Sequence, residues 1–144
     1  MKPNLNSSSS PSTAARWTGR VLSTLAILFL VFDGVAKLLR IPPVLEGTRQ
    51  LGYSTDVVFG LGVTLLTCVL VYLVPRTSVL GAVLLTGYLG GAVATHVRIG
   101  NPLLSHALFP TYVAALVWGG LFLRDARLRA FLPWSIPNPR EARS

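Results

Sequence analysis

Four long apolar runs, separated by short polar joints, dominate the chain from residue 21 onward. The first, Val21 to Leu39, is interrupted by Asp33 and Lys37. The second, Val57–Val74, stops at Pro75, and Val79–Val97 and His106–Leu123 follow. The last three contain no Asp, Glu, Lys or Arg. About 20 apolar residues cross a bilayer core roughly 30 Å thick, so the pattern predicts four transmembrane helices. The joints between the later runs are short, which makes those helices antiparallel neighbours. The expected fold is all-α, an integral membrane four-helix bundle with short loops.

The ends of the chain break this pattern. MKPNLNSSSSPSTAAR is polar and rich in Ser and Pro, so residues 1–17 read as a disordered tail. The first apolar run is too long for a cleaved signal peptide and reads as a retained helix. The membrane domain is expected over 18–133, with 134–144 a flexible tail. In FLPWSIPNPREARS each proline lacks an amide hydrogen and clashes with the preceding turn, which excludes a longer last helix. Phe131 and Trp134 suit the lipid headgroups. LRDARLRAFLP, residues 123–133, reads as a basic amphipathic anchor on anionic lipid, with Asp125 and Arg129 spaced as one helical pair.

Composition strengthens the membrane reading. The chain of 144 residues is 51% hydrophobic and 12% charged, about half the charge of an ordinary soluble domain. A net charge of +8 does not point to nucleic acid, because the basic residues are scattered without interleaved aromatics. Their distribution follows topology instead. Lys2, Arg16, Arg20, Arg76, Arg124, Arg127, Arg129, Arg140 and Arg143 fall on one side of four spans, nine in all. Lys37, Arg40, Arg49 and Arg98 fall on the other. Both termini are therefore expected to be cytoplasmic. Cys68 is the sole cysteine, so neither an internal disulfide nor a CxxC redox pair exists.

Candidate chemistry lies in the residues that do not belong in hydrocarbon. Asp33 sits about two turns from the outer end of the first run, and such a carboxylate usually faces a bundle interior. Lys37 follows one turn later on the same face. The two read either as a structural ion pair or as the lining of a polar pocket. His96 enters the same outer layer from the third run, with Tyr88 about two turns below on roughly the same face. Arg98 is only two residues away, yet it points about 200° from His96 on a helix. His96 is thus expected to turn inward, with Arg98 at the headgroups or folded over a pocket mouth. The alternative for His96 is a packing histidine bonded to Asp33 or to a backbone carbonyl.

Gly87-x-x-x-Gly91 and Gly90-x-x-x-Ala94 predict a ridge for close helix packing. His106 shares the outer surface with His96, but neither a haem nor a zinc ligand set completes itself around the pair, and no metal is expected. Asp56, behind Ser54 and Thr55, suits a helix N-terminus. Tyr53 and Asn101 would complete the outer polar layer.

Beyond these patterns, FDGVAKLL, LGYS, YLVPRTSVLGAVLLTGYLGGAVATHVRIGNP and FPTYVAALVWGGLFLRDARLRAFLP together resemble the DoxX-like family of small bacterial membrane proteins, over roughly residues 18–133. The resemblance implies four transmembrane helices and a place in the bacterial inner membrane. It singles out Asp33, Gly34 and Lys37, and Gly87, Tyr88, Gly90, Gly91, His96 and Arg98. The wider group includes a subunit associated with thiosulfate:quinone oxidoreductase and distant assembly chaperones. Some relatives carry a carboxylate early in their second helix, where LGVTLLTC offers only Thr64 and Thr67.

Two functions compete. One is binding of a lipophilic small molecule, quinone-like or lipid, in the outer half of the bundle. Asp33, Lys37, Tyr88, His96 and Arg98 would supply the few polar groups of an apolar pocket, with the His96 imidazole the group suited to any proton transfer. The other is a non-enzymatic accessory subunit or assembly factor, with a membrane-protein partner or a second copy of itself, whose polar cluster only staples helices. A transporter is the poorer third reading, since no inverted repeat is evident. Membrane lipids are the expected surroundings in every case.

Overall fold

A computed structural model describes residues 13–125 together with residue 128. The expected tail over residues 1–12, and the basic extension and C-terminal tail beyond Asp125, lie outside the described residues save for Leu128. Five α-helices form: α1 (Thr13–Leu38), α2 (Pro42–Gln50), α3 (Val57–Leu73), α4 (Ser78–Arg98) and α5 (Phe109–Arg124). A single π-helical turn, Leu103–Ala107, leads from α4 into α5.

This corrects the expected four-helix bundle in two respects. The joint between the first two runs is not a simple loop but holds α2. Its signal was Pro42-Pro43, which occupies the first helical positions behind an extended Ile41 (φ −61°, ψ 146°). Proline is cheap there because those amides have no helical partner. In addition, only three helical segments among the described residues are long and apolar enough to cross a membrane: Thr13–Leu38, Ser78–Arg98 and the continuous stretch Leu103–Arg124. α3 is apolar but stops at 17 residues, a rise of about 25 Å. Pro75 clips it, forcing Val74 out of helical geometry (ψ 120°). α1 is correspondingly long. It begins at Thr13, taking in residues 13–17 that their composition had assigned to the tail.

The four longer helices touch in the cyclic order α1, α3, α4, α5. Their shared core holds Leu30, Leu65, Tyr72, Leu85, Val117 and Leu121, all buried. Glycine sets three of the seams, where a side chain would have no room. A Cβ on Gly19 would lie 2.8 Å from Leu123 Cβ and 2.9 Å from the Gly120 carbonyl. One on Gly62 would lie 2.9 Å from Lys37 Cβ and 3.0 Å from the Gly34 carbonyl, and Gly81 abuts the backbone of Tyr72. Beside Gly81, the Tyr72 hydroxyl donates to the Val117 carbonyl at 3.0 Å and accepts from Ser23 Oγ at 3.0 Å. A phenol buried in an apolar core needs such partners.

The outer surface is apolar on every side, with Phe32, Phe59, Leu70, Leu80 and Leu104 all exposed. Helices hydrophobic all round are solvated by lipid or by other protein. At one end the start of α1, the Pro75 turn and the end of α5 converge, with Arg124 stacked 5.1 Å over the Tyr72 ring. The other end gathers α2, the start of α3, the end of α4 and the π turn, and the candidate residues lie towards it.

Candidate functional site

A cleft of about 660 Å³ opens between the helices in that second half of the molecule. α1 contributes Asp33 and Lys37, which form an ion pair one helical turn apart. α4 contributes Tyr88 and His96 from across the cleft, eight residues and so about 80° of helix rotation apart. Thr48 of α2 and Leu51 cover the end, while Phe29, Leu61, Leu89, Phe109 and Val113 make the walls apolar. Of the five residues singled out from sequence, the cleft brings four together: Asp33, Lys37, Tyr88 and His96.

Arg98 stands apart. α4 continues through Val97 as the 200° argument required, and Arg98 leaves on the far side of the helix. Its guanidinium donates to the Leu51 carbonyl at 2.8 Å and lies 5.5 Å over the Tyr53 ring. It clasps the segment after α2 from outside and does not line the cleft. The expected packing partners of His96 also differ. Its ring Nδ1 accepts from the Asn101 amide at 2.7 Å, in place of the expected bond to Asp33 or to a backbone carbonyl. Asn101 is brought back by the turn at Gly100, whose φ of +73° suits glycine.

A second cleft, about 500 Å³, lies on the other side of His96, lined by Gln50, Leu51, Asn101 and His106 among others. His96 thus lines both. The two imidazoles stand 6.4 Å apart at 57°, and His106 Nδ1 shares a hydrogen bond with Ser105 Oγ at 2.8 Å. Among the described residues no three His, Cys, Asp or Glu side chains gather as a metal site.

The glycine pattern of α4 overturns one expectation. A Cβ at Gly87, Gly90 or Gly91 would meet nothing within 4 Å, so no helix packs on the expected ridge. Gly87 and Gly91 line the cleft instead. Sequence spacing also passed over Thr95, whose hydroxyl meets that of Tyr53 at 3.1 Å. Its signal was its place seven residues after Tyr88, on the same face.

The site falls within a recognised segment. Residues 21–120 match the model of the DoxX-like family, over more than half of the chain. The chain belongs to the DoxX-like family. With this family match and its apolar exterior, it is a multi-pass membrane protein in contact with lipid. No curated protein and no solved structure matches this DoxX-like chain. Every lining residue of both clefts lies inside the matched segment.

Proposed function

We propose that this DoxX-like protein binds a lipophilic small molecule, quinone-like or lipid, in the cleft between α1 and α4. The observation that carries the reading is the meeting of an ion pair, a phenol and an imidazole in one mainly apolar cleft of about 660 Å³. Ligand sites have this composition: apolar walls with a few convergent polar groups. Asp33 and Lys37 balance each other's charge, so the cleft suits a neutral head that accepts and donates hydrogen bonds. Tyr88 and His96 are the groups facing it from α4. Arg98 then acts as a clasp on the cover rather than as a ligand contact.

The geometry also supports an orientation. The converged end carrying Arg16, Arg20, Arg76 and Arg124 is the cytoplasmic one by the distribution of positive charge. On this reading the cleft opens in the half of the bundle towards the outer surface of a bacterial inner membrane.

A second reading draws on one specific feature. The Asp33–Lys37 pair is closed on itself, as a purely structural staple in an accessory subunit or assembly factor would be. Mass spectrometry of lipophilic compounds co-purifying with wild type, His96→Ala and Tyr88→Phe separates the two. Binding predicts a compound retained by wild type and depleted in both variants. Equal retention by all three proteins removes the binding role and leaves the staple.

A further inference from the structure

We infer that the cleft is entered sideways, from the bilayer, through a window between α3 and α4 floored by Gly87 and Gly91, and that one hydrocarbon chain of a membrane-resident amphiphile occupies it. The inference rests on the binding reading for the amphiphile's head, but the window itself rests on separate observations.

Three of the four helix seams are closed at the level of the cleft. α1 and α3 close through Gly34 and Gly62, where the Gly34 carbonyl and Lys37 leave no room for a side chain. α1 and α5 close through Phe29 and Phe109, whose rings meet edge to face at 5.3 Å. The π turn packs against α4 and buries Ala107 completely, closing the α4–α5 side. The α3–α4 seam behaves differently. It is tightest beside the Pro75 turn, at Gly81 and Tyr72. Ten residues further along α4, about 15 Å, Gly91 faces empty space.

Helical spacing places that gap on the α3 side of α4. Gly81 touches α3, Thr95 bonds to Tyr53 at the entry of α3, and Tyr88 lies midway at seven-residue intervals. Gly91 is three residues after Tyr88 and four before Thr95, on that same stripe. Gly87 lies one turn below it. Both glycines line the cleft and are exposed at the surface. Across from them, Val57 and Leu61 of α3 do the same. The Tyr53–Thr95 bridge roofs the window.

Gly87, Gly91, Val57 and Leu61 give the opening an apolar rim that faces the lipid, with Arg98 held over the Tyr53 ring at its roof. A water-soluble ligand therefore has no reason to use it, whereas a hydrocarbon chain passes from bilayer to cleft without leaving an apolar medium. The missing Cβ atoms at Gly87 and Gly91 are what leave the chain its width.

The test uses full-length protein in phosphatidylcholine vesicles doped with a phosphatidylcholine carrying a diazirine on one acyl chain. After illumination, adducts are mapped by mass spectrometry to Leu89 and Val113, which lie inside the cleft and are buried from the bilayer. Wild type and Gly90→Leu should be labelled there, since Gly90 is exposed but does not line the cleft. Gly91→Leu and Gly87→Leu should fall to the level of the unilluminated control, with melting temperatures in detergent close to wild type. Labelling of Leu89 and Val113 in Gly91→Leu equal to wild type overturns the window, as does their absence from wild-type adducts. Failure of the binding reading has a different signature: labelling that depends on Gly91, with co-purified compounds indifferent to His96→Ala.

Discussion

Gly81 lies against the backbone of Tyr72, so that α3 and α4 touch main chain to main chain one turn beyond the Pro75 hairpin. That contact fixes where the two helices are closest. Near the other end of α4 the tie to the entry of α3 is made by side chains instead, through the Tyr53–Thr95 hydrogen bond.

Glycines on one helix should therefore respond to substitution in opposite ways. Gly81→Leu should destabilise the protein by about 1–3 kcal/mol, the usual cost of overpacking. Gly90→Ala, with nothing within 4 Å of its new methyl, should be neutral or gain up to about 1 kcal/mol from helix propensity. Thermal unfolding in one detergent checks both. Equal losses from the two substitutions would contradict the packing described.

Tyr72 predicts a cost of a different kind. Phenylalanine in its place keeps the ring but leaves Ser23 Oγ without its phenol partner in the core and removes the bond to the Val117 carbonyl. Tyr72→Phe should lose about 1–3 kcal/mol, as expected for unsatisfied buried groups. Adding Ser23→Ala to Tyr72→Phe should cost less than the sum of the two changes, measurable as a coupling energy in a double-mutant cycle.

The Asp33–Lys37 pair calls for the same design. Asp33→Ala should destabilise by up to about 3 kcal/mol because it leaves Lys37 half-buried without its counter-charge. Replacing both residues with Leu and Met should recover much of that loss. Strictly additive effects in the cycle would mean that the two side chains do not communicate.

Orientation is accessible by reporter fusion. Alkaline phosphatase fused at Glu46, in α2, should be active, and the same enzyme fused after Arg143 should be silent. Activity from the second fusion would reject the assignment of the converged basic end to the cytoplasm.

Much of this was legible in the sequence, for reasons that can be named. Long apolar runs without charge mark lipid-facing helices whatever their tertiary packing, and Asp33 and Lys37 stand out because hydrocarbon tolerates them so poorly. The divergence of His96 and Arg98 follows from helical geometry alone. α2 was hidden because a Pro-Pro pair signals both a break and a helix start, and its polar composition hid its amphipathic character. The bounds of α3 were legible, since Asp56 and Pro75 bracket the run Val57–Val74; what its hydropathy did not convey is that 17 residues fall short of a full span. The α4 glycines misled for another reason: a missing side chain looks the same in sequence whether a neighbour fills the space or none does. Packing falls instead to Gly19, Gly34, Gly62, Gly81 and Gly120. The bond from Asn101 to His96 depends on a turn at Gly100 that no periodicity reveals.

The shortness of α3 reaches beyond the protein. Its 17 residues give a hydrophobic length about 5 Å less than a typical hydrocarbon core, while α1 and α4 are long enough to match it. Lipids compensate for such a mismatch by thinning beside the short element. The bilayer is then thinnest along the flank of α3, beside the gap at Gly91, and chain ends and headgroups there sit closer to the cleft than elsewhere on the perimeter. Membrane thickness, set by acyl-chain length and temperature, becomes a physical variable coupled to this site: thicker bilayers resist the indentation, and thinner ones relieve it.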